Sequence, residues 1–155
     1  MEQIIYNPIG VIHTEYFDKE NTPIQSFLAS ESRGWIEVFP RFSEGLKDIK
    51  DFSHLILIYH FHKAECCSLT AKPFLDKEQR GIFSIRYFNR PNPIGISIVK
   101  LENVKDNILN ISGVDILDGT PLLDIKPYVP DFDIRHDVKV GWYDNASEKE
   151  KYGIN

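Results

Sequence analysis

Two arginines, two asparagines and two prolines fall within Arg86-Tyr-Phe-Asn-Arg90-Pro-Asn92-Pro-Ile-Gly95. Proline fixes its own φ and pushes the residue before it towards extended backbone. Arg90 and Asn92 each precede a proline, so this is a stiff polar loop whose side chains point in reproducible directions. A guanidinium is a planar, permanently charged fork suited to carboxylate or phosphate. One isolated arginine is more often a surface salt bridge, but two on a stiffened loop favour a site. Gly95 allows a sharp bend or the close approach of a backbone or ligand. Asp118-Gly-Thr-Pro121, followed by Asp124-Ile-Lys126-Pro-Tyr128-Val-Pro130, has the same character. Asp118 reads equally well as a turn residue bonding nearby backbone and as a site residue.

His60-Phe-His62 invites a metal, because alternate strand residues share a face. His54 has the same parity, and Glu65, Cys66 and Cys67 follow closely. A His-x-His pair with no assembled third ligand is weak evidence, and hydrogen-bonded histidines at a strand end are the plainer reading. No metal is expected. No Gly-x-Gly pair occurs, which excludes a dinucleotide fingerprint and a P-loop.

The elements that must carry these loops are mainly strands. Apolar, β-branched runs place strands over 9–14, 34–39, 55–61 and 81–86, with a hairpin of 94–101 and 108–117 about Lys105-Asp106-Asn107. The run at 55–61 is apolar on both faces, as in a strand buried on both sides. A last apolar piece covers 122–125, and 138–142 is a short strand. Ser43 N-caps a short helix over 43–50, residues 63–80 form a loop or short helix, and 144–155 is a polar tail.

A length of 155 residues with 42% hydrophobic and 26% charged content describes one soluble domain, expected over 1–143. The net charge of −5 argues against generic binding to nucleic acid, though not against a local basic patch. Neither a signal peptide nor an apolar stretch of ~20 residues is present, so no membrane association is expected. Adjacent Cys66 and Cys67 rarely reach disulfide geometry, which fits a reduced, cytoplasmic chain.

Phe52-Ser-His-Leu55, Arg90-Pro-Asn-Pro-Ile-Gly95 and Asp118-Gly-Thr-Pro-Leu-Leu-Asp-Ile-Lys-Pro-Tyr128, in that order, resemble the TrmO/TsaA-like family. The resemblance spans about residues 9–133. It implies a small single-domain β-barrel that binds S-adenosylmethionine without a Rossmann domain, and a homodimer. Because a small barrel has limited concave surface, the Arg90 loop is expected near the partner chain, where a subunit seam would deepen the pocket. It also implies a tRNA N6-methyltransferase acting on N6-threonylcarbamoyladenosine beside the anticodon. Carried over by position, the cofactor contacts are Pro23, Ile24, Gln25, His62, Lys63, Arg86, Ile96, Ile116, Leu117, Asp118 and Gly119. Family members often have arginine where Ile24 stands and an uncharged residue where Lys63 stands, and larger ones carry a C-terminal extension.

Within that resemblance, Arg86 would fork onto the methionine carboxylate, and Arg90 and Asn92 would face the RNA. Asp118, Tyr128 or a backbone carbonyl would take the proton from N6, with Tyr128 also able to stack on a base. Two other readings stay open at this point. One is a non-catalytic cofactor-binding module, and the other is a metal-dependent enzyme centred on His60 and His62.

Overall fold

Alternation between an inward and an outward face of each strand dictates the architecture seen in a computed structural model, which describes residues 3–18 and 31–147. In β2 (Arg33–Val38), Gly34, Ile36 and Val38 are buried, while Trp35 and Glu37 face out. The same period of two governs β1 (Gly10–Thr14), β3 (His54–His60) and β6 (Ile94–Lys105), and also β7 (Ile108–Ser112) and β8 (Thr120–Pro127). All neighbours are antiparallel, and the order β1-β2-β7-β6-β3-β8 closes into a barrel. Closure leaves no strand edge unpaired. Inside pack Ile12, Ile36, Leu55, Leu57, Leu109 and Leu122, among others.

The mainly β barrel agrees with the sequence, and several local expectations do not. β3 is buried on one face only: Leu55, Leu57 and Tyr59 point in, whereas Ile56 and Ile58 lie half exposed outside. Residues 43–50 form no α-helix but fall in two 3₁₀ turns, Pro40–Leu46 and Ile49–Asp51. The Ser43 hydroxyl there donates back to Pro40 O at 2.6 Å instead of N-capping. β7 ends at Ser112, well before residue 117, because Gly113 takes a φ of 73° and turns the chain. Residues 138–142 are not a strand; Gly141–Asn145 is a 3₁₀ turn.

Contacts gather into two compact units. One, Met1–His62 with Ile94–Phe132, holds the barrel; the other is Lys63–Pro93 with Asp133–Asn155. The smaller unit contains the two-stranded ribbon β4 (Thr70–Ala71) and β5 (Arg80–Gly81). The expected strand over 81–86 survives only as Gly81; Ile82–Ser84 is a 3₁₀ turn that buries Ile82. Buried Asp76 organises this unit, accepting from Arg80 Nε at 3.1 Å and a terminal guanidinium nitrogen at 2.5 Å. Lys77 N and Ser147 Oγ also donate to it, and Trp142 Nε1 donates to Ser84 O at 2.7 Å. No helix among the described residues is long and apolar enough to cross a membrane.

Candidate functional site

The two ends of β8 differ in chemistry. At its start, the loop 116–119 is laced to β1. Asp118 N donates to Tyr16 O at 2.7 Å, and Thr14 N donates to Asp118 Oδ1 at 3.1 Å. Thr14 Oγ1 donates to Ile116 O at 2.8 Å. His13 Nδ1 lies 3.4 Å from the same Asp118 oxygen, and its ring stacks on Trp35 at 5.0 Å. Gly119 has a φ of 73°, which an L side chain rarely adopts, so the Asp-Gly pair is needed for the turn itself. The carboxylate bonds a strand 104 residues away rather than its own turn. Asp118 is therefore fixed in position and direction.

Thr120, the first residue of β8, connects this loop to His62. Its hydroxyl donates to Leu117 O at 2.7 Å, so in the 3.2 Å contact with His62 Nδ1 the hydroxyl must accept. A hydroxyl has one hydrogen to give. His62 thus donates from Nδ1 to the Thr120 hydroxyl.

A second polar chain runs inside the barrel. Ser97 Oγ donates to Asp115 Oδ1 at 2.6 Å, so Tyr59 OH, 3.0 Å from Ser97 Oγ, is the donor of that pair. Tyr59 and Ser97 are buried, and Asp115 directly precedes the 116–119 loop. Gly95 belongs to the same construction. It pairs with Tyr59 across β3 and β6, and a methyl group on it would overlap the Tyr59 ring and come within 2.9 Å of Phe61 Cζ. The close approach that Gly95 permits is that of a core aromatic ring.

The expected site residues divide accordingly. His62, Ile116, Leu117, Asp118 and Gly119 come together around the start of β8. Ile116 is 2% exposed, so its side chain is core and only its backbone faces the loop. Ile96 lies on the outer face of β6, 54% exposed. Lys63, Arg86, Arg90 and Asn92 belong to the smaller unit. Arg86 is exposed and follows buried Ile85 rather than closing a strand. A terminal nitrogen of Arg90 donates to Ile85 O at 3.3 Å, closing its own loop. Pro23, Ile24 and Gln25 lie outside the described residues.

Tyr128 sits past the other end of β8, where its N donates to His54 O at 3.1 Å and its ring meets His54 edge-on. Eight strand residues at ~3.3 Å each separate it from the Asp118 loop by roughly 26 Å. One chain does not bring Asp118 and Tyr128 to a common reaction centre.

The histidine pair separates as well. β3 ends at His60, paired with Ile94, and His62 leaves the ladder for Thr120. Among the described residues no three His, Cys, Asp or Glu side chains are grouped to hold a metal, and Cys66 and Cys67 are exposed free thiols. Sequence reasoning missed Thr14, Tyr59, Ser97, Asp115 and Thr120 as site-building residues. Only Thr120, inside Asp-Gly-Thr-Pro, stood in a stretch whose composition drew attention.

Residues 11–134 match the tRNA-methyltransferase O N-terminal domain. A protein of Pyrococcus abyssi named probable S-adenosyl-L-methionine-binding protein is 55% identical over 149 residues, covering 96% of this chain and 81% of that one. The tRNA (adenine(37)-N6)-methyltransferase of Mus musculus is 36% identical over 144 residues, covering 88% of this chain but 33% of that enzyme. A crystal structure of TrmO from Pseudomonas aeruginosa superposes with a TM-score of 0.77 at 39% identity, covering 90% of this chain and 62% of that one. This chain thus spans a third of the mouse enzyme and less than two thirds of the bacterial one. With the motif, the closed barrel and this similarity in agreement, the chain belongs to the family of the tRNA-methyltransferase O N-terminal domain.

Proposed function

We propose that this chain is an S-adenosylmethionine-dependent methyltransferase that modifies N6 of the anticodon-adjacent adenosine of tRNA, with N6-threonylcarbamoyladenosine as acceptor. Its setting is the cytoplasm and its working form a homodimer. The names of its relatives support the cofactor and the tRNA. The observation that carries the reading is the polar cluster at the start of β8, where Asp118, Thr120 and His62 are held by backbone and by one another.

These residues fit such a cofactor. An anchored carboxylate can accept from an ammonium or a ribose hydroxyl. S-adenosylmethionine supplies a methyl group already bonded to its leaving group. What remains for the chain is alignment and exclusion of water, and orientation alone can lower a barrier by ~7–11 kcal/mol. Thr14 and Tyr16 contribute by fixing the direction of Asp118. The acceptor nitrogen is part of a urea and must shed its proton. Asp118 is the carboxylate held at this end of the barrel to accept it, where Tyr128 of the same chain is absent.

The homodimer has its own support on the outer barrel face. Ile94, Ile96 and Ile98 are 42%, 54% and 43% exposed, and Ile56 and Ile58 pair with Ile98 and Ile96 to widen the stripe. A contiguous exposed apolar patch marks an interaction surface. Ile98→Glu should then sediment as a monomer at concentrations where the unaltered chain is a dimer.

Incubation with labelled cofactor and total tRNA, followed by nucleoside analysis, tests the activity. Label on methylated N6-threonylcarbamoyladenosine is expected, and label on another nucleoside would replace that acceptor. Cofactor binding with no transfer to any tRNA would leave only a binding module.

A further inference from the structure

Residues 63–93 carry six lysines and arginines against three acidic residues, a net +3 in a chain whose net charge is −5. The same stretch displays aromatic rings. Phe83 is 78% exposed and Phe74 50%. The Phe74 ring lies 6.5 Å from Tyr87, and Tyr87 stacks on Phe88 at 4.4 Å with 26° between their planes. Three rings therefore run as one continuous ledge.

The backbone beneath is anchored. Ile82 and Ile85 turn inward and are buried, so Phe83 between them faces out. Before β5, the Asp76–Arg80 fork ties down the loop that presents Phe74, with exposed Lys72 and Lys77 close by in sequence. Neither lysine has a part in the cluster at the start of β8.

Exposed rings alone are compatible with a protein partner. Local positive charge in an acidic chain favours a polyanion instead. Rings with cations interspersed are what unpaired nucleotides need, since every base has a face to stack and every phosphate a charge to neutralise.

We infer that the exposed rings of the smaller unit dock unpaired nucleotides of an RNA, with Phe74 and Phe83 stacking on bases and Lys72 meeting a phosphate. The inference rests on the tRNA reading above and adds a surface to it.

The test measures binding of total tRNA, and of an unstructured RNA oligonucleotide, to the full chain by fluorescence anisotropy over a range of salt. Calorimetric titration with S-adenosylmethionine runs in parallel. The Phe74→Ala/Phe83→Ala variant should bind both RNAs about tenfold or more weakly, the loss typical of base–aromatic stacks, with cofactor affinity unchanged. Lys72→Ala should reduce the slope of log K against log salt by about 0.7, the share of one single-stranded phosphate. If tRNA binds the unaltered chain and the folded double variant equally well, the surface is wrong while the tRNA reading stands. If the unaltered chain binds no RNA, both fall. Unchanged RNA affinity with an altered sedimentation coefficient in the double variant would assign the ledge to a protein contact and overturn the inference.

Discussion

The barrel and the smaller unit are held together by opposite means. In the barrel, an apolar core set by period-two alternation makes the frame, and polar groups such as Thr14, Ser97 and Thr120 are buried within it to fix the site loop. Among the described residues of the smaller unit the buried apolar side chains are Ile82 and Ile85, and a buried carboxylate and a tryptophan hold the backbone. Packing should therefore govern substitutions in the first region and charge those in the second. Because the barrel's site residues hang on strand ladders, a packing error there should reach the site as well.

The largest effect that would expose this difference is expected at Gly95. A methyl group on it overlaps the Tyr59 ring, which is buried and tethered through its hydroxyl to Ser97. Overpacking of this kind typically costs ~1–3 kcal/mol, and a chain of this size loses about 2–4 °C in Tm for each kcal/mol. Gly95→Ala should thus melt several degrees lower in calorimetry. A Tm within a degree of the unaltered protein would mean that the core relaxes freely and would break the comparison.

Ser97→Ala comes next. It removes the one hydroxyl that Tyr59 and Asp115 share, and an interrupted buried hydrogen bond costs about 1–3 kcal/mol. Since Asp115 leads into the 116–119 loop, S-adenosylmethionine affinity should fall along with stability. Protease sensitivity within 63–93 should stay unchanged at temperatures where the barrel remains folded.

What the sequence disclosed follows the same divide. Alternation placed β1, β2, β3 and the β6–β7 hairpin to within a few residues, because a half-buried strand prints its two faces in its own sequence. The exposed isoleucines of β3 misled for the same reason: an outward apolar stripe looks like a second buried face. The chain Tyr59–Ser97–Asp115 was illegible, since its members are 38 and 18 residues apart and meet only once the register is set. That Asp118 and Tyr128, both candidates for the same proton, lie at opposite ends of β8 was equally illegible, since the piece expected there covered only 122–125. In the smaller unit the expected strand over 81–86 failed because local propensity yielded to the Asp76–Arg80 fork and to Trp142, which reaches Ser84 across 58 residues.

Arg86→Lys probes the smaller unit at lower cost. The expectation that Arg86 ends a strand was wrong, yet its backbone is still anchored by the buried Ile85 before it. If Arg86 grips a carboxylate of the cofactor, lysine loses the paired hydrogen bonds of the fork. Calorimetric titration should then show S-adenosylmethionine binding weakened about tenfold, ~1.4 kcal/mol. An unaltered dissociation constant in the folded variant would remove Arg86 from cofactor binding.

The smallest effect, confined to acid and to one unit, concerns Asp76. The Arg80 fork chiefly, with the Lys77 backbone N–H and the Ser147 hydroxyl, holds its carboxyl below the ordinary value of 3.8, while burial works in the other direction. A carboxyl depressed in the folded state contributes its full stability above the unfolded value. That contribution is lost as pH falls below about 3.8 and through the lower folded value, because the unfolded chain takes the proton first. The smaller unit should therefore loosen on acidification in that window. Trp142 reports it, since it bonds Ser84 O and lies under the Arg80 guanidinium at 5.8 Å. In a Trp35→Phe background Trp142 is the only tryptophan, and its emission should shift as pH falls below 3.8. Asp76→Asn has no such carboxyl to protonate, so its emission should be altered already at neutral pH and flat through the acid window. An acid profile identical in both proteins would show that Asp76 does not hold the unit, and the contrast between a packed barrel and a charge-held unit would fail at its second half.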